Sequence, residues 1–114
     1  MNLSVPIIIC DENDDIRLIL KEMLTKHGYF HIVEAHSSQE MLQLISDEQF
    51  VLIHKNLMND QIKKILSQRN NFLIIAQQDS TEMLNLAAHF GVNHLISFPY
   101  TSKALVEKIN MLLS

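Results

Sequence analysis

Residues 5–28, VPIIICDENDDIRLILKEMLTKHG, hold the pattern from which the fold is read. Residues 5–10 form a short apolar run rich in β-branched side chains and without alternation, as expected of a strand buried on both faces. The run stops at the acids Asp11 and Glu12, and from Asp14 the spacing changes. Ile16, Ile19, Leu20, Met23, Leu24 and His27 recur at helical intervals, and Gly28 supplies a C-terminal stop. The stretch therefore predicts a buried strand, an acidic connection and a helix of about four turns.

The alternation continues outward. HIVEA at 31–35 reads as a second strand, and SSQE at 37–40 is a capping box opening a helix with Met41, Leu44 and Ile45 inward. FVLIHKN at 50–56 reads as a third buried strand that ends in an imidazole, an ammonium and an amide. Asn59 or Asp60 caps a short helix carrying Ile62, Ile65 and Leu66, and NFLIIA at 71–76 is a fourth buried strand. DSTE at 79–82 caps a helix through Phe90 that Gly91 ends, with Met83, Leu84, Ala87 and Ala88 inward and Leu86 exposed. HLISF at 94–98 makes the fifth strand, Pro99 breaks its ladder, and Thr101 or Ser102 caps a last helix with Leu105, Ile109 and Leu112 inward. Strands that alternate with helices in this way predict an α/β domain, a parallel sheet with helices on both faces. Sites in such sheets lie at the carboxyl ends of the strands, which here carry Asp11, Glu12, Asn56, Ala76 and Phe98.

Composition narrows the function. The chain has 114 residues, 47% of them hydrophobic and 19% charged, enough for one core and a single domain over residues 1–114. A net charge of −4 provides no basic surface to track phosphates, so neither nucleic acid nor an anionic membrane is an expected partner. Cys10 is the sole cysteine, lies in an apolar run and suits a reducing, cytoplasmic compartment. Gly28 and Gly91 are the only glycines and both end helices, so no glycine-rich loop cradles a nucleotide phosphate. The six histidines lack zinc-site spacing.

In IIICDENDDIRLILKEML, LIHKNLMND and LIIAQQDSTEMLNLAAHFGVNHLISFPYTSKALVEKI, the chain resembles the response-regulator receiver domains of two-component signalling over nearly its whole length. The resemblance implies a flavodoxin-like (βα)5 doubly wound sheet of five parallel strands in the order 2-1-3-4-5, here with a shortened third helix. It places Asp11 and Glu12 on the acidic pair that holds Mg²⁺, Asn56 on the phospho-acceptor aspartate and Ala76 on the hydroxyl residue that binds the phosphoryl group. Leu95 falls on the switch aromatic, Phe98 on the phosphoryl-pairing lysine, and Pro99 on a proline preceded by a cis bond. An amide is a poor nucleophile, and neither Ala76 nor Phe98 offers a donor or a charge to a phosphoryl group. The expectation is a non-enzymatic pseudo-receiver, working as a protein-interaction module either alone or as the N-terminal part of a larger regulator.

Asp11, Glu12, Asn56 and the Met58 carbonyl form the expected cation site, weak or absent without a third carboxylate; no other cofactor is expected. Lys55 either leans toward the acidic pair or snorkels out beneath a helix, and His54 reads as a neutral core histidine. The family's output or dimer face, formed by the fourth helix, fifth strand and fifth helix, carries Leu86, His89, Lys103 and Glu107; a signalling protein or a second copy would dock there. The alternatives are phosphorylation at a displaced acceptor such as Asp60 and small-ligand sensing at the strand ends.

Overall fold

The computed structural model describes residues 3–77 and 81–114. Its strands are β1 (Ile7–Cys10), β2 (Ile32–Ala35), β3 (Phe50–His54), β4 (Phe72–Gln77) and β5 (Leu95–Phe98). Its helices are α1 (Asp14–Lys26), α2 (Ser38–Leu44), α3 (Asp60–Leu66), α4 (Thr81–Phe90) and α5 (Ser102–Leu113). The five strands are parallel and ordered β2-β1-β3-β4-β5, the flavodoxin-like receiver fold.

Successive strand residues point to opposite faces, so the sheet builds two cores. Ile7, Ile9, Leu52, Leu73 and Ile75 pack beneath α1 and α5 with Leu20, Leu24, Leu105 and Ile109. Ile8, Cys10, Val51, Ile53 and Ile74 pack beneath α2, α3 and α4 with Met41, Ile62, Leu66 and Leu86. Both faces of β1 and β3 are covered, which is why their apolar runs lack alternation.

The helix ends are set by side chains. Asn13 caps α1 by accepting from Ile16 N (3.0 Å), Ser37 caps α2 through Glu40 N (3.0 Å), Asn59 caps α3 through Ile62 N (2.9 Å), and Thr101 caps α5 through Ala104 N (3.0 Å). Glu40 Oε1 accepts from the His36 amide (3.0 Å), one residue before the cap, closing the predicted box in a variant form. Helix α3 has seven residues, in keeping with its short crossover. Gly28 and Gly91 have φ of +96° and +93° where helices α1 and α4 give way to the next segment, a backbone region that disfavours a Cβ. Part of the predicted DSTE cap falls on residues 78–80, outside the described residues.

Three details of the sequence reading change. Helix α4 is rotated: Met83, Leu86, Ala87 and Phe90 face the core, with Leu86 only 7% exposed, while Leu84 is 71% exposed and Ala88 also faces out. In LNLAAHF five of the seven positions are apolar, so spacing alone does not fix the phase, and the 3-4-3 stripe won because it meets β4 and β5. Ile19 and Leu44 are exposed, and the inward positions are held by Ile16 and Leu20 in α1 and by Met41 and Leu42 in α2. His94 belongs to a 3-10 turn, Val92–His94, and stacks on Phe72 at 4.1 Å before β5 begins.

Candidate functional site

The carboxyl ends of the strands surround a cavity of about 320 Å³ lined by Asp11, Glu12, Asn13, Ile16, His54, Asn56, Gln77 and Phe98. Register explains which side chains meet there. Cys10 lies opposite Ile53 across β1 and β3, so the next row pairs Asp11 with His54. Alternation then sends both side chains to the α1–α5 side of the sheet. Gln77 and Phe98 form the last row of β4 and β5.

The sequence predicts β3 through Asn56, but the strand ends at His54. Residues Lys55–Leu57 turn away as a single 3-10 turn, closed when the Asn56 amide donates to His54 Nδ1 (3.2 Å). His54 is thus half-buried at the cavity, not a core histidine, and it stands on the row of Asp11 where Asn56 had been expected. The signal was present in the sequence: FVLI is the apolar part of the run, and His54 has the parity of Leu52, which faces α1 and α5.

Lys55 has the opposite parity and leaves on the other side. Its side chain is 13% exposed and its ammonium pairs with Glu82 Oε2 of α4 at 2.7 Å, so it snorkels beneath a helix and contributes no charge to Asp11 or Glu12. The hydrogen bond and charge of Lys55 hold the Glu82 carboxyl below its ordinary range. Arg17 is held by Asp14 and Glu34 and donates to the Asp11 carbonyl oxygen (2.6 Å). Among the described residues no cationic side chain pairs with either carboxylate of the cavity.

Asp11 is 4% exposed, and its Oδ1 accepts from the Asn13 amide (2.8 Å). Its charge is felt by neighbours: burial first, and Asp11 second, push both the Cys10 thiol and the Tyr100 phenol up to about 12. Cys10 is therefore an inert core thiol. Phe98 is 55% exposed at the cavity, with Tyr100 edge-on to its ring at 6.1 Å, and its bond to Pro99 is cis. Ala76 and Leu95 are buried; Leu95 belongs to the α2–α4 core.

The residues do not fit the Mg²⁺ that the fold family implies. Among the described residues no three His, Cys, Asp or Glu side chains converge closely enough to hold a metal ion. Met58 lines a separate groove with Lys55, Lys63, Glu82 and His89, away from Asp11, Glu12 and Asn56. Mg²⁺ demands near-octahedral oxygen ligands, and the row that would supply a third carboxylate supplies an imidazole. Asp60 opens α3 and does not line the cavity.

The expected interaction face is also rearranged. His89 contacts Ser67 of α3 (3.3 Å) in the α3–α4 groove, and Leu86 is core. Lys103 and Glu107 stay exposed on α5 as a loose 3.9 Å pair. Between α4, β5 and α5 the surface is a shallow apolar depression that includes Met83, Val92, Tyr100 and Ala104, where Lys108 donates to the Leu95 carbonyl (2.7 Å). No described helix is long and apolar enough to cross a membrane.

No protein-family model matches the chain. It is 26% identical to chemotaxis protein CheY1 of Helicobacter pylori, over 94% of this chain and 95% of that protein. It is 23% identical to a probable chemotaxis protein CheY of Rhizobium etli, over 93% and 92%. Among solved structures, a response-regulator receiver domain protein of Clostridium thermocellum superposes with a TM-score of 0.78 at 21% identity, covering 96% of this chain and 94% of that one. CheY4 of Vibrio cholerae gives 0.75 at 15%, covering 96% and 98%. Sequence likeness and fold together support a response-regulator receiver domain of the CheY-like kind.

Proposed function

We propose that this chain is a pseudo-receiver: a phosphorylation-independent, non-enzymatic interaction module of two-component signalling. The observation that carries the reading is His54 at the end of β3, on the row of Asp11, where the family resemblance calls for a carboxylate. We assign the phospho-acceptor position to His54 in place of Asn56. An imidazole is a nucleophile, but Ala76 and Phe98 give no hydroxyl and no cation to a transferred phosphoryl group, and the two acids repel it. The pair between Lys55 and Glu82 ties the start of α4 to the end of β3, so the helix that a receiver would move is anchored without a phosphate. Partner recognition then rests on constant surface, with the α4–β5–α5 face, and Leu84 and Val92 on it, as the docking site for a cytoplasmic signalling protein or a second copy.

Intact-mass spectrometry with acetyl phosphate and Mg²⁺ tests this reading. The expected spectrum shows no added phosphoryl group. A gain stable in base and lost in acid would locate a phosphoramidate on His54, and a gain lost in base an acyl phosphate on Asp60 or Asp11. Either would overturn phosphorylation independence.

A further inference from the structure

We infer that this chain binds a small aliphatic carboxylate, held by Arg69 in a cavity where α2 and α3 end, at the opposite end of the sheet from Asp11 and His54. The inference is independent of the pseudo-receiver reading. The cavity, of about 490 Å³, is lined by Ile45, Ser46, Asp47, Ile65, Gln68 and Arg69, from the segments that lead into β3 and β4. The Arg69 side chain is only 10% exposed, and its Nη1 is buried with no hydrogen-bond partner among the described residues. Nη2 donates to the Ser46 carbonyl (3.0 Å), while Asp47 Oδ1 stands 3.6 Å from it on a fully exposed side chain. A buried guanidinium with dry, unpaired donors and one loose, solvated counter-charge is costly, and an anion in the cavity offsets that cost.

The surroundings offer Nη1 no substitute. Carbonyls at the two helix ends are already taken: Met41 O by the Ile45 amide (2.9 Å), Leu44 O by Gln49 Nε2 (3.3 Å), Lys63 O by the Ser67 amide (2.9 Å) and Leu66 O by the Arg69 amide (3.1 Å). The loop between α2 and β3 is fixed as well, since Gln49 Oε1 accepts from the Ser46 amide (2.8 Å) and Asn71 donates to the Gln49 carbonyl (2.7 Å). The wall is therefore shaped before a ligand arrives. Arg69 lines the cavity, and turning about its Cδ–Nε bond presents the unpaired edge for the parallel bonds that a carboxylate accepts from a guanidinium. The other lining residues select the anion. Ile45 and Ile65 supply apolar walls for a short hydrocarbon stem. Arg69 is the only cation of the described lining, and Asp47 repels a second negative charge, so a monoanionic carboxylate fits better than phosphate.

The test is a titration of the full ¹⁵N-labelled chain with sodium butyrate at constant pH and ionic strength, followed by the backbone amides and the Arg69 Nε–H signal. Saturable shifts are expected at Ser46, Asp47, Gln68 and Arg69 with a Kd of about 1–10 mM, butanol binding at least about tenfold more weakly. Asp47→Asn removes the competing carboxylate and should tighten butyrate about two- to fourfold. Arg69→Lys keeps the charge without the planar fork and should weaken it about tenfold. The amide spectrum of each variant reports whether it is folded, and Asp47→Asn, at a fully exposed position, keeps the test decisive if Arg69→Lys unfolds. Absence of saturation by about 50 mM butyrate in both the parent and Asp47→Asn overturns the inference. Equal shifts with butanol, equal shifts with chloride (an adventitious ion only), tighter binding of inorganic phosphate, or affinity indifferent to both variants overturns it as well.

Discussion

The bodies of the strands and their carboxyl ends follow different rules within the same sheet. Ile7, Ile8, Ile9, Leu52, Ile53 and Ile74 are fully buried, and any apolar side chain of similar volume would serve in their places. One residue further on, Asp11, His54, Gln77 and Phe98 define a cavity in which each substitution changes the available chemistry. Burial depends on area and volume, which many residues satisfy. Phosphoryl transfer depends on a nucleophile, a cation and a donor at fixed points, and exchanging lysine for phenylalanine removes that capacity while leaving the fold intact. The proposed reading, a receiver fold that keeps its architecture without its switch, rests on this difference.

The largest effects should come from the strand bodies. Leu52→Ala, in the α1–α5 core, and Ile74→Ala, in the α2–α4 core, should each cost about 2–5 kcal/mol in urea unfolding. A loss well below that range at one of them would mean that its core collapses around the hole, and that the two faces are unequal partners. Phe98→Lys, at the cavity, should change stability by less than about 1 kcal/mol in the same assay, because the ring is already more than half exposed. Equal costs in the two regions would break the comparison.

Helix α4 permits a sharper version within two residues. Leu86→Glu puts a charge into the core and should lose several kcal/mol, roughly the cost of an unpaired buried carboxylate after relaxation. Leu84→Glu should stay within about 0.5 kcal/mol of the parent in stability and weaken partner capture. Unchanged capture by the folded Leu84→Glu protein would move the docking site off the α4–β5–α5 face.

Restoring a carboxylate should separate His54 from Asn56. His54→Asp places a third acid on the row of Asp11, where like charges raise one another's pKa and favour a divalent cation. Calorimetry should show Mg²⁺ binding gained by His54→Asp and little gained by Asn56→Asp, whose residue sits in the 3-10 turn. The reverse order would return the acceptor position to Asn56. Phosphodonor should leave partner affinity unchanged in both, since a ligand without differential contacts shifts no equilibrium.

The smallest effect belongs to the exposed end of the Lys55–Glu82 pair. Lys55 depresses the Glu82 pKa in the folded chain, so the pair's contribution is present above the unfolded carboxyl's pKa and is lost as pH falls through the folded one. Glu82→Gln should therefore be slightly less stable than the parent at neutral pH, and the difference should vanish in acid. A gap that persists in acid would assign the effect to packing of α4.

Much of this molecule was legible in its residues taken alone. Five apolar runs separated by helical periods, with capping residues at Ser37, Asn59 and Thr101, determine the βα alternation, because the spacing of apolar side chains and the capping of helix amides are local properties. The family resemblance added the strand order. Three-dimensional packing decided the rest. Which of His54 and Asn56 meets Asp11 depends on where β3 stops against β1, and which face of α4 turns inward depends on what β4 and β5 present to it. Lys55 finds Glu82, 27 residues away, only once the sheet has set its side of exit. Register and helix phase are relations between segments, and a one-residue shift sends a strand side chain to the opposite face.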